Sequence, residues 1–400
     1  MKVLYLVTAY ARHPTDVITP WLTETIRRLA ARGVEVEVLA PSYRGLASQT
    51  VDGVRVHRFR YAPRAWETLT HDQTAPDRIR ERPWFLGLVP GYVAAGSRAA
   101  ARLARSGEFD VVHAFWPIPQ GVLGLAAKRA AGIPLVSTFF GVELTWMDRQ
   151  FPFLAPMLRR IVRGSDAVTA ISTYTAERLQ RVAPGVRTEV IPFGAAVDAA
   201  PSLPPPRPAG SRPELLFMGR LVERKGVHLL LEALSLLENR PLLHVVGDGP
   251  ERARLQELAG RRRLEDDVVF HGFVSAEEKA AQLAGCDAFV LPAVIDSKGD
   301  TEGLGVVLLE AMTYGKPVIA SAAGGIVDIV RDGRNGFLVP PGDAGALATA
   351  IRACVENPEL ARELGAQGRM DVEQGFSWDV IADRLSALYT RVQRAPATHF

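Results

Sequence analysis

The segment Thr301-Glu302-Gly303-Leu304-Gly305-Val306-Val307-Leu308-Leu309-Glu310-Ala311-Met312 contains two glutamates that flank seven glycine or aliphatic residues. Carboxylates are rare in so apolar a run unless they are paired or bind a polar group. The apolar residues after Gly305 predict a helix packed on a sheet. A helix that begins at bare glycines presents unpaired N–H groups and the positive end of its dipole, which suits a phosphate.

The spacing of Glu302 and Glu310 predicts that they lie at different distances along the same helix and in the same site. Glu302 would stand just before the helix, and Glu310 about two turns along it, at roughly 3.6 residues per turn. One carboxylate could bind hydroxyls on one side of a bound diphosphate, and the other could bind hydroxyls beyond it. This arrangement suits a sugar nucleotide, and an ordinary turn with one capping and one core glutamate is the alternative.

The composition indicates a soluble globular protein with more than one domain. The chain has 400 residues, of which 48% are hydrophobic and 23% are charged, and this excludes a disordered chain. No run approaches the roughly 18 apolar residues of a membrane span, and residues 1–8 read as a strand rather than a signal peptide. Two cysteines without disulfide or metal-ligand spacing agree with a cytoplasmic location.

The net charge of +3 hides an asymmetry between the halves, because residues 1–200 carry 25 Lys and Arg against 17 Asp and Glu. Part of the excess is Arg159, Arg160 and Arg163, which follow an apolar run. A basic amphipathic helix there could rest on the inner face of an anionic membrane, and a core helix with a solvated arginine face is the alternative. Nucleic acid is not expected as a partner, since no binding motif accompanies the charge.

A proline-rich segment at 201–213, with six prolines in thirteen residues, predicts an extended linker. We expect a first domain at 1–198, a linker at 199–213 and a second domain at 214–376. The segment 377–400 is expected to form a helix that crosses back to the first domain.

Short apolar runs alternate with helical patterns on both sides of this linker, which indicates parallel βαβ sheets. The predicted strands are 2–8, 34–40, 110–114, 135–139, 167–171 and 189–192 in the first half and 214–218, 242–246, 268–270, 288–291, 318–320 and 336–339 in the second. We therefore predict two Rossmann-like, doubly wound α/β domains facing each other across a cleft at the carboxyl ends of their strands.

Further strand-to-helix loops in the second half carry groups suited to an anion. Arg220 and Lys225, in Gly219-Arg220-Leu221-Val222-Glu223-Arg224-Lys225-Gly226, could bind a departing diphosphate and stabilise its charge. A pair of solvated charges is the alternative. Val246-Gly247-Asp248-Gly249-Pro250 could border a nucleotide or form a plain turn.

Taken in order, these motifs resemble family 4 of the retaining glycosyltransferases, which have the GT-B fold of two facing Rossmann-like domains. The resemblance spans essentially the whole chain and is most specific between residues 219 and 340. It rests on Gly219-Arg220, Lys225-Gly226, Gly247-Asp248-Gly249-Pro250, His271-Gly272-Phe273-Val274, Glu302, Glu310, Gly315-Lys316-Pro317 and Asn335-Gly336-Phe337.

The resemblance implies a role for individual residues on the donor side. Arg220 and Lys225 would hold the donor diphosphate, Glu302 would bind hydroxyls of the donor sugar, and Glu310 would bind the ribose hydroxyls. The remaining implied donor-binding residues are Gly219, Gly247, Val274, Gly303, Leu304 and Gly305. No Asp-x-Asp metal motif occurs in the chain, and the resemblance implies metal-independent chemistry without a cofactor.

The first half departs from the family pattern in two loops. Residues 9–20 lack the glycine pair that many relatives carry after the first strand. Where relatives often have His-Gly-x-Asp/Glu, this chain has Phe140-Gly141-Val142-Glu143, so Phe140 replaces the histidine and Glu143 keeps the acidic place. Glu143 and His113 are the candidate catalytic groups of this half, and a core role for His113 is the alternative.

The expected function is transfer of a hexose from a nucleotide diphosphate sugar to a saccharide, lipid-linked or small-molecule acceptor. A nucleotide-sugar epimerase of the same fold and a non-catalytic sugar-nucleotide binding subunit are the alternatives. Epimerisation would proceed without an acceptor, whereas transfer would need one. A dinucleotide oxidoreductase is not expected, since neither half carries Gly-x-Gly-x-x-Gly with an acidic residue about 20 positions on.

Overall fold

The computed structural model describes residues 1–16, 18–149, 151–195 and 210–394. They divide into two compact units, one within Met1–Pro192 and Ile381–Phe400 and the other within Phe193–Val380. Residues 196–198 of the expected first domain, 199–209 of the expected linker and 395–400 of the expected C-terminal segment lie outside the described residues. The expected domain boundaries stay predictions.

The first unit is built on an eight-stranded sheet. Its strands are β1 (Lys2–Leu6), β2 (Glu35–Pro41), β3 (Gln49–Val51), β4 (Val54–Phe59), β5 (Val111–Phe115), β6 (Leu135–Phe139), β7 (Ala167–Ala170) and β8 (Thr188–Val190). Their order is β3-β4-β2-β1-β5-β6-β7-β8, and every neighbouring pair is parallel except β3 with β4. Its helices are α1 (Pro20–Ala30), α2 (Ala75–Glu81), α3 (Val89–Arg105), α4 (Pro117–Ala131), α5 (Val142–Arg149), α6 (Ala155–Gly164) and α7 (Thr173–Val182).

The second unit holds a six-stranded, wholly parallel sheet. Its strands are β9 (Glu214–Met218), β10 (Leu242–Val246), β11 (Val268–Gly272), β12 (Ala288–Leu291), β13 (Val318–Ser321) and β14 (Phe337–Val339). Their order is β11-β10-β9-β12-β13-β14. Its helices are α8 (Val227–Ser235), α9 (Arg252–Arg261), α10 (Ala276–Gly285), α11 (Val306–Thr313), α12 (Ala344–Glu356) and α13 (Pro358–Gly375). The last helix, α14 (Trp378–Arg394), belongs to the first unit from Ile381 onward.

These two parallel-sheet units confirm the predicted fold class, and each predicted strand is present. The prediction missed the hairpin of β3 and β4. Its turn is Asp52-Gly53, with φ of +48° and +79°, which is the strongest short-range signal of a two-residue hairpin. The alternating residues after Gly53 should have been read as a strand, because one face of β4 is buried and the other meets solvent.

Helix α14 packs onto the first unit through a buried hydrogen-bonded chain. The Tyr389 hydroxyl lies 2.8 Å from the Tyr5 hydroxyl and 2.7 Å from His113 Nδ1. His113 Nε2 lies 2.6 Å from Thr138 Oγ1, which in turn lies 2.5 Å from Thr169 Oγ1. The chain links α14 to strands β1, β5, β6 and β7, because buried polar groups need partners where water cannot reach.

The apolar face of helix α6 belongs to the core rather than to the surface. Leu158, Ile161 and Val162 are buried, while Arg159 and Arg160 are exposed. The solvated arginine face of a core helix therefore accounts for the amphipathic pattern seen in the sequence. Within the described ranges, no helix is both long and apolar enough to span a bilayer.

We expect Tyr389→Phe to destabilise the first unit by about 1–3 kcal/mol, because Tyr5 and His113 would each lose a buried hydrogen-bond partner. Denaturant unfolding measures this change in the free energy of unfolding. Tyr174→Phe is the matched control, since its hydroxyl makes no hydrogen bond to a described residue. Equal stability of the two variants would contradict the structural role of the chain.

Candidate active site

The loops at the carboxyl ends of β9, β10 and β11 are held together by their backbones. The Gly219 N–H donates to the Val246 carbonyl at 2.9 Å, and the Gly247 N–H donates to the Gly272 carbonyl at 2.8 Å. Gly247 has a φ of +123°, and a Cβ there would overlap the carbonyl oxygen of Gly219. Glycine is therefore required at Gly247, and the loops form a rigid rim on this edge of the sheet.

A pocket of about 600 Å³ opens at this rim. Its floor is formed by the glycine loops, and Val274 and the exposed Phe273 stand at one side. The lining residues are Met218, Gly219, Arg220, Val246, Gly247, Asp248, Gly249, Gly272, Phe273 and Val274. The volume suits part of a nucleotide, since small-molecule pockets measure about 300–1,000 Å³.

Lys225 and Glu302 meet beside this pocket. Lys225 Nζ lies 2.6 Å from Glu302 Oε2, and their side chains are 11% and 15% exposed. Gly219, which lines the pocket, packs against the end of the lysine chain, because a Cβ there would lie 3.6 Å from Lys225 Cε. The structure therefore brings together an ammonium and a carboxylate that the sequence had suggested for one site.

Glu223 and Arg224, which directly precede Lys225, also hold the loop that leads to Glu302. Glu223 accepts hydrogen bonds from the Ser297 N–H at 3.1 Å and from the Ser297 hydroxyl at 2.6 Å. The carbonyl of Arg224 accepts from the Val294 N–H at 2.9 Å, and its guanidinium lies 3.4 Å from Asp300. Sequence reasoning missed Glu223, because its partner Ser297 lies 74 residues further along the chain.

Helix α11 begins at Gly305, which has a φ of +93°. Leu304 is buried and Gly303 is partly exposed, and Gly303 has no side chain that could cover the backbone before the helix. Glu310, on the helix, pairs with Lys279 of α10 at 2.8 Å. Lys279 was not identified from the sequence, because the two residues lie on different helices.

Arg220 follows β9 and is exposed. Its guanidinium forms no hydrogen bond or ion pair with any residue that the structure describes. It lines the pocket, so its donors are available for an anion there. Arg252 at the same rim is instead paired with Asp248 at 2.9 Å.

In the first unit, His113 is fully buried with both ring nitrogens hydrogen-bonded. Burial lowers the pKa of His113 to about 3, so the ring is neutral at physiological pH. These contacts fit a core histidine better than an acid or base that exchanges protons with a substrate.

Glu143 lies at the start of α5 and is also buried. Its Oε1 accepts a hydrogen bond from the Phe140 N–H at 2.7 Å, while its Oε2 has no hydrogen-bond partner among the described residues. Burial raises the pKa of Glu143 to about 7. The carboxyl group therefore titrates near neutral pH, where acid–base groups operate.

Phe140 occupies the place where relatives carry histidine, and it lies in an aromatic cluster. Its ring stacks on Trp116 at 4.4 Å between centroids and lies 5.6 Å from Trp21.

The glycine-free loop at 9–20 is held by Arg58, whose guanidinium donates to the carbonyl oxygens of Tyr10 and Ala11 at 3.1 and 2.8 Å. In the described parts of both units, no group of three or more His, Cys, Asp or Glu is arranged to hold a metal ion.

Comparison with protein families identifies both halves of the chain. Residues 204–371 match the family model of glycosyl transferases group 1, and residues 21–199 match that of Glycosyltransferase Family 4.

Individual relatives agree with these matches. The GDP-mannose-dependent alpha-(1-6)-phosphatidylinositol monomannoside mannosyltransferase of Mycolicibacterium smegmatis is 32% identical over 84% of this chain and 91% of its own. A putative colanic acid biosynthesis glycosyltransferase of Escherichia coli is 31% identical over 86% of this chain and 80% of its own. The structure of sucrose-phosphate synthase from Thermosynechococcus elongatus superimposes with a TM-score of 0.75 at 25% identity, covering 98% of each chain.

The two parallel-sheet units, the motifs on the second sheet and these matches agree on one assignment. The expectation of a glycosyltransferase is confirmed, and the comparisons give no support to an epimerase or a binding subunit. The chain belongs to Family 4 of the glycosyltransferases, in the group 1 glycosyl transferases, and is a nucleotide-sugar-dependent hexosyltransferase.

Proposed function

We propose that this enzyme binds its donor at the carboxyl edge of the second sheet and transfers the hexose with retention of anomeric configuration. The ion pair of Lys225 and Glu302 is the observation that carries this proposal. It holds an ammonium for the diphosphate and a carboxylate for the sugar hydroxyls next to loops of bare backbone. Relatives named as GDP-mannose-dependent mannosyltransferases favour GDP-mannose as the donor.

The other residues of this edge extend the same site. Arg220, whose guanidinium has no described partner, would reach the diphosphate together with the amides of Leu304 and Gly305, which directly precede α11. The pocket beside Val274 would hold the base, with the Val274 backbone available to its edge. Glu310, about one turn into α11, would bind the ribose hydroxyls.

The proposed transfer step needs no separate catalytic base. The bond between the anomeric carbon and the diphosphate oxygen breaks, and the acceptor hydroxyl forms the new bond on the same face. The proton of that hydroxyl goes to the leaving phosphate oxygen. Lys225 and Arg220 would offset the negative charge that develops on the diphosphate, while the sugar passes through an oxocarbenium-like transition state. These two cations would take the place of a divalent metal ion.

The acceptor side is proposed to lie at the carboxyl edge of the first sheet. Glu143 supports this assignment because one of its oxygens is buried without a described partner, so a bound hydroxyl would complete its hydrogen bonding. Relatives act on a phosphatidylinositol mannoside or are assigned to colanic acid synthesis, which favours a lipid-linked or saccharide acceptor. A cytoplasmic location stays part of this proposal.

Glu302→Gln and Lys225→Ala should each reduce transfer by about 100-fold or more, since each removes one charge from the reacting region. The measurement is release of nucleotide diphosphate in a screen of GDP-, UDP- and ADP-sugars with candidate acceptors. Exposed Glu359→Gln and Arg261→Ala are matched controls and should keep full activity. Wild-type rates in either site variant, with the fold intact, would overturn the assignment.

Glu310→Ala should weaken donor binding by roughly 10-fold, because a charged hydrogen bond to the ribose is lost, and it should change kcat less. Calorimetric titration with the nucleotide diphosphate measures the affinity. Lys279→Met removes the partner of Glu310 but leaves the carboxylate, so it should change affinity by less than about 5-fold. An unchanged affinity in Glu310→Ala would exclude the ribose role.

Glu143→Gln should alter both stability and transfer. Because burial raises the pKa of Glu143 to about 7, the folded state prefers the neutral carboxyl group. The contribution of the neutral Glu143 carboxyl group to the free energy of unfolding is fully present below about pH 4.5 and is lost as the pH rises through 7. Between pH 5 and 8, the free energy of unfolding of the wild type should therefore fall by roughly 3 kcal/mol relative to E143Q.

The same variant tests the acceptor role. E143Q should reduce kcat at saturating donor without changing nucleotide affinity, and exposed Glu177→Gln should change neither property nor the pH dependence of stability. Parallel stability profiles of E143Q and the wild type would contradict the burial of an ionisable carboxyl group.

A further inference from the structure

The segment between β4 and α3 exposes large apolar side chains on the surface of the first unit. Trp66, Trp84 and Leu86 are 48%, 49% and 57% exposed. The two indole rings lie 5.4 Å apart between centroids in an edge-to-face contact. These three side chains are called here the tryptophan patch, and large apolar groups gathered in this way mark an interaction surface.

The tryptophan patch is held in place by buried neighbours. Glu67, next to Trp66, is fully buried and accepts hydrogen bonds from the Ser42 hydroxyl at 2.9 Å and the Gly45 N–H at 2.8 Å. Phe85, between Trp84 and Leu86, is part of the hydrophobic core. Each exposed side chain is therefore attached to backbone that the core fixes, so its exposure does not result from a loose loop.

Two arginines beside the tryptophan patch have guanidinium groups without a described partner. Arg64 and Arg82 are exposed, and the guanidinium group of neither forms an ion pair or hydrogen bond with a described residue. The nearby Arg80 is by contrast paired with Asp77 at 2.6 Å, and the exposed Glu81 accepts a hydrogen bond from Gln73 at 2.9 Å. Gln73 is neutral, so Glu81 keeps its negative charge. The charged side chains near the aromatic rings that have no ion-pair partner among the described residues are therefore Arg64, Arg82 and Glu81, which together carry one net positive charge.

We propose that the tryptophan patch, with Arg64 and Arg82, binds the surface of an anionic lipid bilayer. Tryptophan combines a large apolar ring with a polar N–H, which suits the boundary between head groups and acyl chains. Unpaired guanidinium groups beside it add attraction to lipid phosphates. This segment begins at the carboxyl end of β4, and Phe140 and Glu143 follow the carboxyl end of β6 in the same sheet. Both therefore start at the edge of the first sheet where the acceptor is proposed to bind.

This surface differs from helix α6, which the sequence had suggested for a membrane. The apolar side chains of α6 are buried in the core, and the exposed apolar residue nearest to it is Phe153, at 72%. Phe153 therefore supplies a matched control for an exposed aromatic side chain on the same unit. The proposal goes beyond the transfer reaction and does not depend on which donor is used.

The test is flotation of the full chain with vesicles of phosphatidylcholine, prepared with and without phosphatidylglycerol. The wild type should partition at least about 10-fold more strongly when phosphatidylglycerol is present, with this preference weakened by salt. The double variant W66S/W84S should bind at least about 10-fold more weakly. R64A/R82A should lose roughly 5-fold for each arginine, only on anionic vesicles. F153S should bind as the wild type does.

Separate measurements exclude misfolding and self-association. The nucleotide affinity of W66S/W84S should match the wild type, because both indoles lie outside the donor site. Its thermal unfolding should stay cooperative, with a lower midpoint, because each indole is half buried. Wild-type binding by W66S/W84S, loss of binding by F153S, or no flotation of the wild type would overturn the proposal. So would sedimentation showing a wild-type dimer that W66S/W84S converts to a monomer, because the patch would then bind a second copy.

Discussion

The ion pair between Lys225 and Glu302 is the interaction on which the arrangement of the second unit's site depends. Lys225 Nζ lies 2.6 Å from Glu302 Oε2, and both side chains are largely buried. Because burial disfavours a lone charge, each of the two charges would destabilise the fold without the other. The pair joins the loop after β9 to the loop before α11, and Glu223 and Arg224 hold the same two loops together from the adjacent positions. The two loops are therefore held together without a ligand, so binding of the proposed donor would require less ordering of the chain.

The carboxyl edges of the two sheets are built from different chemistry. On the second sheet, bare glycine backbone and the available guanidinium of Arg220 suit phosphate. On the first sheet, Trp21, Trp116 and Phe140 form an aromatic cluster, and His113 lies in the core between Tyr389 and Thr138. The division agrees with a charged donor on one unit and a less charged acceptor on the other. His113 is buried although it lies near a strand end, because Tyr389 of α14 hydrogen-bonds to its Nδ1.

Much of the fold could be predicted because its signals are local. Apolar runs bounded by glycine and proline locate the strands, and the parallel order follows from their alternation with helices. Lys225 and Glu302 were assigned to one site because the loops of a parallel sheet meet at its carboxyl edge. The partner of Glu310 could not be found in this way, since Lys279 lies on another helix and only the packing of α10 beside α11 brings them together. The role of Glu223 was equally hidden, because its bond to Ser297 depends on the path of a loop.

The sequence by itself determined the fold class and the family and supplied the charged residues proposed for the donor edge, because glycine spacing and charges in apolar runs are constrained residue by residue. Tertiary structure alone decided which of those charges are paired, as at Lys225, and which are available, as at Arg220. It also decided that His113 is buried, that the apolar face of α6 is internal, and that Trp66 and Trp84 lie side by side on the surface. Burial and pairing depend on contacts between segments far apart in the chain, and no local pattern specifies them.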